Sequence, residues 1–183
     1  MLTAVTVSGF LDRGECARVL AMAAAQGYES AGLVGGVAAP AIRRAGLAWL
    51  DDGPETEWLS RRIAAVVARA NRESFGFDLE EFAERMQVAC YDAAAQGHFD
   101  WHADIGEGPV ARRRKLTMVV QLSDPADYDG GRLQLHTGTG PRLADTAPGS
   151  ATLFPGFLLH RVTPVTRGRR HSLTVWVHGP PFR

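Results

Sequence analysis

The spacing of apolar residues along the chain changes near residue 84. Before that point, apolar side chains recur every three or four residues, which predicts two amphipathic helices. The first begins at Asp12, which forms a capping-box pattern with Glu15, and ends at Gly27. The second follows Pro54. Its predicted apolar face consists of Leu59, Ile63, Val66, Val67 and Ala70.

After residue 84, short runs of β-forming residues are separated by Gly, Pro and Asp. Asp129-Gly130-Gly131 has the composition of a turn between two antiparallel strands. Segment 31–41 contains no strong pattern and is interpreted as a loop or a weak edge element. Many short strands behind two helices predict a mainly β fold of sandwich or jelly-roll type, in one domain. The predicted strands are 85–92, 97–104, 115–123, 131–136, 150–154, 157–163 and 170–178.

Composition narrows the class of protein. The chain has 183 residues, enough for one domain with a real core. Its 20 basic and 20 acidic residues cancel, so no overall field draws it toward nucleic acid or a membrane surface. Its apolar runs are too short for a membrane span, and its start lacks signal-peptide features. With only two cysteines, it has no disulfide framework, and we expect a cytoplasmic protein.

The second half of the chain contains a candidate metal site. Two histidines and one carboxylate form the facial triad that holds non-haem Fe(II), and His102, Asp104 and His160 supply such a set. The same ligands would also bind Zn, Mn or Ni. The His-x-Asp pair occurs twice, because His98 and Asp100 repeat it with the same strand parity. Periodicity leaves both pairs open.

Six separated blocks of sequence between about residues 85 and 178 occur in the order of a known family. The first is Tyr91-x5-Gly97-x-Phe99-x2-His102-x-Asp104. The others are RKLTMVVQLS (114–123), DYDGGRL (127–133), FPGFLLH (154–160), RVTPVTRGRR (161–170) and SLTVW (172–176). Together they resemble the 2-oxoglutarate/Fe(II) dioxygenases of the prolyl 4-hydroxylase (PKHD-like) type. The ending WVHGPPFR is similar to small stand-alone bacterial and phage members.

The resemblance implies one dioxygenase domain over 1–183. Its core would be a double-stranded β-helix, or jelly roll, over 85–178, with helical support from 1–80. It implies Fe(II), 2-oxoglutarate and O2 as cofactor and co-substrates, with ascorbate as an additional reductant.

The same resemblance assigns roles to individual residues. His102, Asp104 and His160 would bind Fe(II), which decides between the two His-x-Asp pairs. Arg170, ten residues after His160, would pair with the distal carboxylate of 2-oxoglutarate, because a guanidinium clamps a carboxylate with two hydrogen bonds. Strand parity places Ser172 and Trp176 on the same inward face. Further expected co-substrate contacts are Tyr91, Thr117, Gln121, Ser172 and Trp176. Many prolyl hydroxylases carry a tyrosine where Gln121 stands.

The implied reaction is hydroxylation of an unactivated C–H bond, with release of succinate and CO2. A peptidyl residue or an amino-acid-like small molecule is the expected substrate. The basic turn at 112–115 is interpreted as solvated, with a contact to an acidic substrate as the alternative.

Three other functions fit parts of the same pattern. A nucleic-acid demethylase would share the triad, but neutral net charge disfavours strong phosphate binding, so a nucleic-acid partner is not expected. A cupin-like metal enzyme would give no reason for Arg170. A non-catalytic binding or structural module could use the same jelly-roll fold.

Overall fold

Both predicted helices are present in the computed structural model, which describes residues 4–30, 41–138 and 140–182. Helix α1 spans Arg13–Gln26 and helix α2 spans Glu57–Ala70. The capping box of α1 is formed, since the Asp12 carboxylate accepts a hydrogen bond from the backbone N–H of Glu15 at 2.8 Å. Most of the predicted segment 31–41 lies outside the described residues. No described helix has both the length and the apolar character that crossing a bilayer requires.

The seven predicted strands are all present, with ends that differ by a few residues. Short strands in the first fifty residues were not predicted, because they offer too few residues for a period-two pattern to stand out. One of them, Gly46–Leu50, is an inner strand next to the edge of its sheet. The strands are β1 Val5–Val7, β2 Glu29–Ser30, β3 Arg43–Arg44, β4 Gly46–Leu50, β5 Met86–Asp92, β6 His98–His102, β7 Arg114–Gln121, β8 Tyr128–Gly130, β9 Leu133–His136, β10 Pro141–Leu143, β11 Ala151–Pro155, β12 His160–Val162 and β13 Val165–His178.

The strands form two antiparallel sheets. The larger has the order β1-β11-β7-β13-β5-β4-β2, with β8 paired to β13. The smaller has the order β10-β9-β12-β6-β3. Neighbours in these sheets are mostly distant in sequence, as in a jelly roll, so the predicted mainly β fold with N-terminal helices is confirmed.

Strand β7 shows how the layers are divided. One of its faces, including Leu116 and Met118, packs with helical residues in a core between the helices and the larger sheet. The other face contributes Val119 to a second core between the two sheets. Because side chains alternate along a strand, the polar neighbours Thr117 and Gln121 also point between the sheets, where they are buried. The site therefore lies between the sheets.

The predicted turn at Asp129-Gly130-Gly131 does not join two paired strands. Strand β8 pairs with β13, whereas the next strand, β9, pairs with β10 and β12 in the other sheet. The hairpin prediction is therefore wrong. Both glycines have positive φ, 74° and 56°, which lets the chain cross between sheets. A Cβ at Gly131 would lie 2.9 Å from Cδ of Arg170, so the missing side chain makes room for that arginine.

Candidate metal centre

A cavity of about 600 Å³ opens between the two sheets. This size suits a small organic ligand. The cavity is lined by His102, Asp104 and His160 together with residues of β3, β4, β5 and β13. Three of the predicted co-substrate contacts, Tyr91, Ser172 and Trp176, also line it.

The structure brings the three predicted metal ligands together. One ligand atom from each of His102, Asp104 and His160 lies within 4.8 Å of the others. The Nε2 atoms of the two histidines lie 3.7 and 3.6 Å from the two oxygens of the carboxylate. Strands β6 and β12 are neighbours, with His102 directly opposite His160, and this pairing places both rings on one face.

Backbone contacts fix which nitrogen of each histidine faces the centre. Nδ1 of His102 lies 2.7 Å from the carbonyl oxygen of Asp100, and Nδ1 of His160 lies 2.9 Å from that of Leu158. Because a carbonyl only accepts, each Nδ1 carries the proton and donates it. Both Nε2 atoms therefore present a lone pair, the form that binds a divalent cation.

Burial and charge also favour the metal-binding protonation state. Burial and the nearby His160 lower the pKa of His102 to about 4, so its ring is neutral near pH 7. Burial opposes ionisation of Asp104, but the neighbouring imidazoles and a 2.5 Å hydrogen bond from the Thr117 hydroxyl outweigh it and lower its pKa. His102 is therefore a neutral imidazole beside an ionised Asp104 carboxylate.

The competing pair, His98 and Asp100, has no such arrangement. Nδ1 and Nε2 of His98 lie 2.8 and 3.2 Å from the carbonyl oxygens of Gln96 and Ala41, so neither nitrogen is free for a metal. The Asp100 carboxylate accepts from the backbone N–H of Trp101. Tertiary contacts thus distinguish two motifs that look identical in sequence.

Arg170 is buried in the larger sheet, and its hydrogen-bond partners are neutral. Its Nε donates to Oε1 of Gln121 at 3.1 Å, and its Nη1 lies 3.4 Å from the hydroxyl of Ser172. No carboxylate lies within salt-bridge distance of it in the part of the chain that the structure describes. Burial lowers the pKa of Arg170, but a guanidinium remains charged. The result is a buried cation without a counter-ion.

Other predicted residues occupy different layers around the cavity. The ring of Tyr91 packs 5.6 Å from the Arg170 guanidinium carbon, so Arg170 contacts two residues that line the cavity, Tyr91 and Ser172. Thr117 and Gln121 do not line the cavity. They are buried behind it, where they hold Asp104 and Arg170 in place.

Tyr128 belongs to this cluster and was missed from the sequence. Its hydroxyl accepts a hydrogen bond from Nε2 of Gln121 at 2.8 Å, beside Arg170. A tyrosine between Asp127 and Asp129 resembles an ordinary loop residue. The only signal in the sequence was that Gln121 stands where many prolyl hydroxylases carry a tyrosine. In the structure, Tyr128 brings a phenol to Arg170.

The basic turn at 112–115 is solvated only in part, because Arg112 is exposed and Arg113 is half-buried, whereas the last two residues are buried. Arg114 and Lys115 are each only 7% exposed. Arg114 binds the Glu84 carboxylate with two hydrogen bonds of 2.7 and 2.5 Å, and its Nη1 donates to the carbonyl oxygen of Asp104. The negative charge of Glu84 explains why the Arg114 side chain points inward.

His178 completes this second network. The backbone N–H of Ala83 donates to its Nδ1 at 3.2 Å, so its Nε2 carries the proton and donates to Glu84 at 2.9 Å. Burial opposes ionisation of Glu84, but the hydrogen bonds from His178 and Arg114 lower its pKa to about 2. Glu84 is therefore a fixed negative charge.

A jelly roll with two histidines and one carboxylate at an open face defines a metal-dependent class of protein. Comparison with known families identifies it further. The model of the 2OG-Fe(II) oxygenase superfamily matches residues 86–178, about half of the chain. The chain belongs to this superfamily, and the resemblance found in its sequence is confirmed.

Curated relatives agree with this assignment. A PKHD-type hydroxylase of Pseudomonas fluorescens is 36% identical over 94 residues, which cover 49% of this chain and 41% of the relative. A PKHD-type hydroxylase of Pseudomonas aeruginosa is 38% identical over 92 residues, covering 48% and 40%. The matched part of the chain thus spans less than half the length of these relatives.

Solved structures share the fold over nearly the whole chain. A prolyl hydroxylase from Trichoplax adhaerens, in complex with a hypoxia inducible factor peptide fragment, has a TM-score of 0.80 at 19% identity, covering 97% of this chain and 84% of its own. A Pseudomonas putida prolyl-4-hydroxylase has a TM-score of 0.72 at 21% identity, covering 96% and 91%. At these identities the likeness concerns the fold.

Proposed function

We propose that this chain forms a single domain that binds Fe(II) and 2-oxoglutarate and uses O2 to hydroxylate a C–H bond. The substrate would be a peptidyl residue or an amino-acid-like small molecule. The observation that carries the proposal is the Arg170 guanidinium, which is buried without a carboxylate partner among the described residues, beside a cavity that also holds a candidate metal triad. A metal-binding jelly roll without a keto-acid co-substrate gives no reason to bury that charge.

The residues present fit Fe(II). Nε2 of His102, the Asp104 carboxylate and Nε2 of His160 would hold the ion, because both Nδ1 protons are already used by backbone carbonyls. When bound, the metal supplies O2 activation coupled to decarboxylation of 2-oxoglutarate to succinate and CO2, with ascorbate as an additional reductant. The role of Thr117 would be to orient the carboxylate through its hydroxyl.

The residues behind the cavity fit a dicarboxylate. Arg170 would bind the distal carboxylate of 2-oxoglutarate, with the Tyr91 and Tyr128 hydroxyls close by and Gln121 holding the guanidinium plane. Trp176 and Phe99 supply apolar walls that limit water around the reacting groups. The Trichoplax prolyl hydroxylase, which is bound to a peptide, supports a peptide as one substrate class.

The test is anaerobic addition of Fe(II) and then 2-oxoglutarate to the full chain. A visible charge-transfer band is expected, because it requires the keto acid to chelate a metal that is held by the protein. His102→Ala should abolish the band. His98→Ala is the matched control, since it removes the histidine of the competing motif, and should keep it. A wild-type protein without the band would contradict the proposal.

The reaction itself is tested by succinate release under air. A panel of peptides and amino acids should contain members that raise succinate release and gain one oxygen atom in mass, and ascorbate should increase the number of turnovers. Methylated oligonucleotides serve as the comparison for the demethylase alternative. Stimulation by the oligonucleotides alone would favour that alternative.

A further inference from the structure

One arginine on the cavity wall has no role in holding the metal or the co-substrate. Arg43 lies in β3, at the edge of the smaller sheet, and lines the cavity. Its guanidinium carbon lies 4.5 Å from the centre of the Phe99 ring. Its Nη2 donates to Oε1 of Gln87, at 2.6 Å, in the larger sheet. Arg43 thus reaches across from one sheet to the other.

Arg43 lacks an acidic partner. No Asp or Glu oxygen lies within salt-bridge distance of it among residues 4–30, 41–138 and 140–182. The remaining residues of the chain include no Asp or Glu. Its Nε is buried and has no hydrogen-bond acceptor within the described part of the chain. A guanidinium that binds only an amide and a ring face retains in-plane donors for a planar anion.

The charges around the cavity point to the same conclusion. The charges of Arg114 and Glu84 cancel in an ion pair, and the single charges of Asp104 and Arg170, which are not in contact, sum to zero. A divalent metal ion and a doubly negative keto acid also cancel. After these cancellations, the positive charge of Arg43 remains. The site with bound metal and keto acid therefore has a net charge of about +1. A substrate with one negative group would balance it.

We propose that Arg43 is a specificity residue that binds a carboxylate of the substrate. The inference rests on the proposed function and narrows its substrate class to a molecule or chain end that carries a free carboxylate close to the carbon that is oxidised. The carboxylate would lie close to the oxidised carbon because Arg43, Phe99 and His102 are stacked in sequence. The Phe99 ring, which supports the guanidinium, lies 3.4 Å from the ring of the metal ligand His102. One ring therefore separates the carboxylate site from the metal centre.

The experiment measures binding, because turnover depends on which carbon is presented. N-acetyl amino acids, as free acids and as their primary amides, are titrated calorimetrically into the anaerobic complex of the full chain with Fe(II) and saturating 2-oxoglutarate. Acid and amide have nearly the same shape, but the amide is neutral and has an N–H donor group in place of one carboxylate oxygen. At least one acid is expected to bind about 30-fold or more tightly than its amide, as for a partly buried charge pair. Short peptides with free or amidated C-termini distinguish a peptide end from a free amino acid.

Arg43→Gln should remove the preference for the acid and leave the charge-transfer band of the 2-oxoglutarate complex unchanged. Arg85→Gln is the matched control. Arg85 packs on Trp49, which lines the same cavity, but it has Asp51 as a partner at 3.5 Å and does not line the cavity itself. This variant should keep the preference.

Two results would overturn the inference. The first is that no acid binds better than its amide, which includes the case where no acid binds. The second is an acid preference that survives Arg43→Gln. In both cases an intact charge-transfer band shows that the proposed oxygenase function still holds. Loss of the band in the wild-type protein would instead count against the function itself.

Discussion

Two buried arginines, Arg114 and Arg170, lie toward opposite ends of the paired strands β7 and β13 and have opposite surroundings. Arg114 has a full counter-charge, since Glu84 accepts two of its hydrogen bonds and is held in turn by His178. Within the described part of the chain, Arg170 has only neutral partners, the amide of Gln121 and the hydroxyls near it. Both are almost completely buried, at 7% and 2% exposure.

Under the proposed function, the difference distinguishes a charge that supports the fold, Arg114, from a charge that binds a ligand, Arg170. An ion pair completed within the chain supports the fold and offers little to a ligand. A buried cation that lacks an anion makes the empty protein less stable than it could be, and it regains that energy only when an anion binds. Under the proposed function, the chain uses arginine for two purposes, and the presence or absence of an internal carboxylate partner distinguishes them.

Removing the paired arginine should have the largest effect on stability. Arg114→Met leaves Glu84 partly buried without its main counter-charge, and we expect the free energy of unfolding to fall by roughly 3–5 kcal/mol. Urea denaturation measures the change. The double variant Arg114→Met, Glu84→Gln should recover most of the loss, and a single-variant loss below about 1 kcal/mol would contradict the pairing.

Removing the unpaired arginine, Arg170, should weaken ligand binding and not reduce stability. Arg170→Met should leave the free energy of unfolding of the ligand-free protein unchanged or higher, because it removes an unpaired buried charge and only neutral partners lose a hydrogen bond. The dissociation constant for 2-oxoglutarate should rise by about 30-fold or more. Arg169→Met, which removes an exposed arginine paired with Asp92, is the control and should alter binding little. Equal 2-oxoglutarate affinity in both variants would refute the assignment of Arg170.

Supplying a carboxylate to Arg170 should make it resemble Arg114. Gln121→Glu changes one amide to a carboxylate of the same shape, 3.1 Å from Nε of Arg170. The internal anion would compete with 2-oxoglutarate, so we expect affinity to fall by roughly tenfold or more. Titration of the metal-loaded variant with 2-oxoglutarate measures the change. Unchanged affinity would mean that the co-substrate carboxylate binds elsewhere.

The ion pair of Arg114 and Glu84 should also make the stability of the protein depend on pH. Because the pKa of Glu84 is lowered from 4.5 to about 2 in the folded chain, its contribution to stability is complete above pH 4.5 and is lost as the pH falls toward 2. From pH 6 to pH 3 this loss is about 2 kcal/mol. Urea denaturation at both values should show it for wild type, and Glu84→Gln should show a correspondingly smaller fall. An identical fall in both proteins would exclude Glu84 as its source.

Local patterns in the sequence determined much of this protein. The capping box at Asp12 and the spacing of Leu59, Ile63 and Val67 predicted both helices, since helix ends and faces depend on neighbours within a few residues. The ordered blocks predicted the jelly roll and brought out the candidate triad. Missed elements such as β3 and β4 are short strands whose pairing partners lie far along the chain.

Only the tertiary structure decided which charged residues are paired. His98 and His102 look alike in sequence, and so do Arg114 and Arg170. What separates each pair is a contact from a distant segment, such as the Ala41 carbonyl on His98 or Glu84 on Arg114. Residue type and spacing set which chemistry is possible, because they act locally. Whether a buried charge is satisfied within the chain depends on which strands meet, and that is a property of the whole fold.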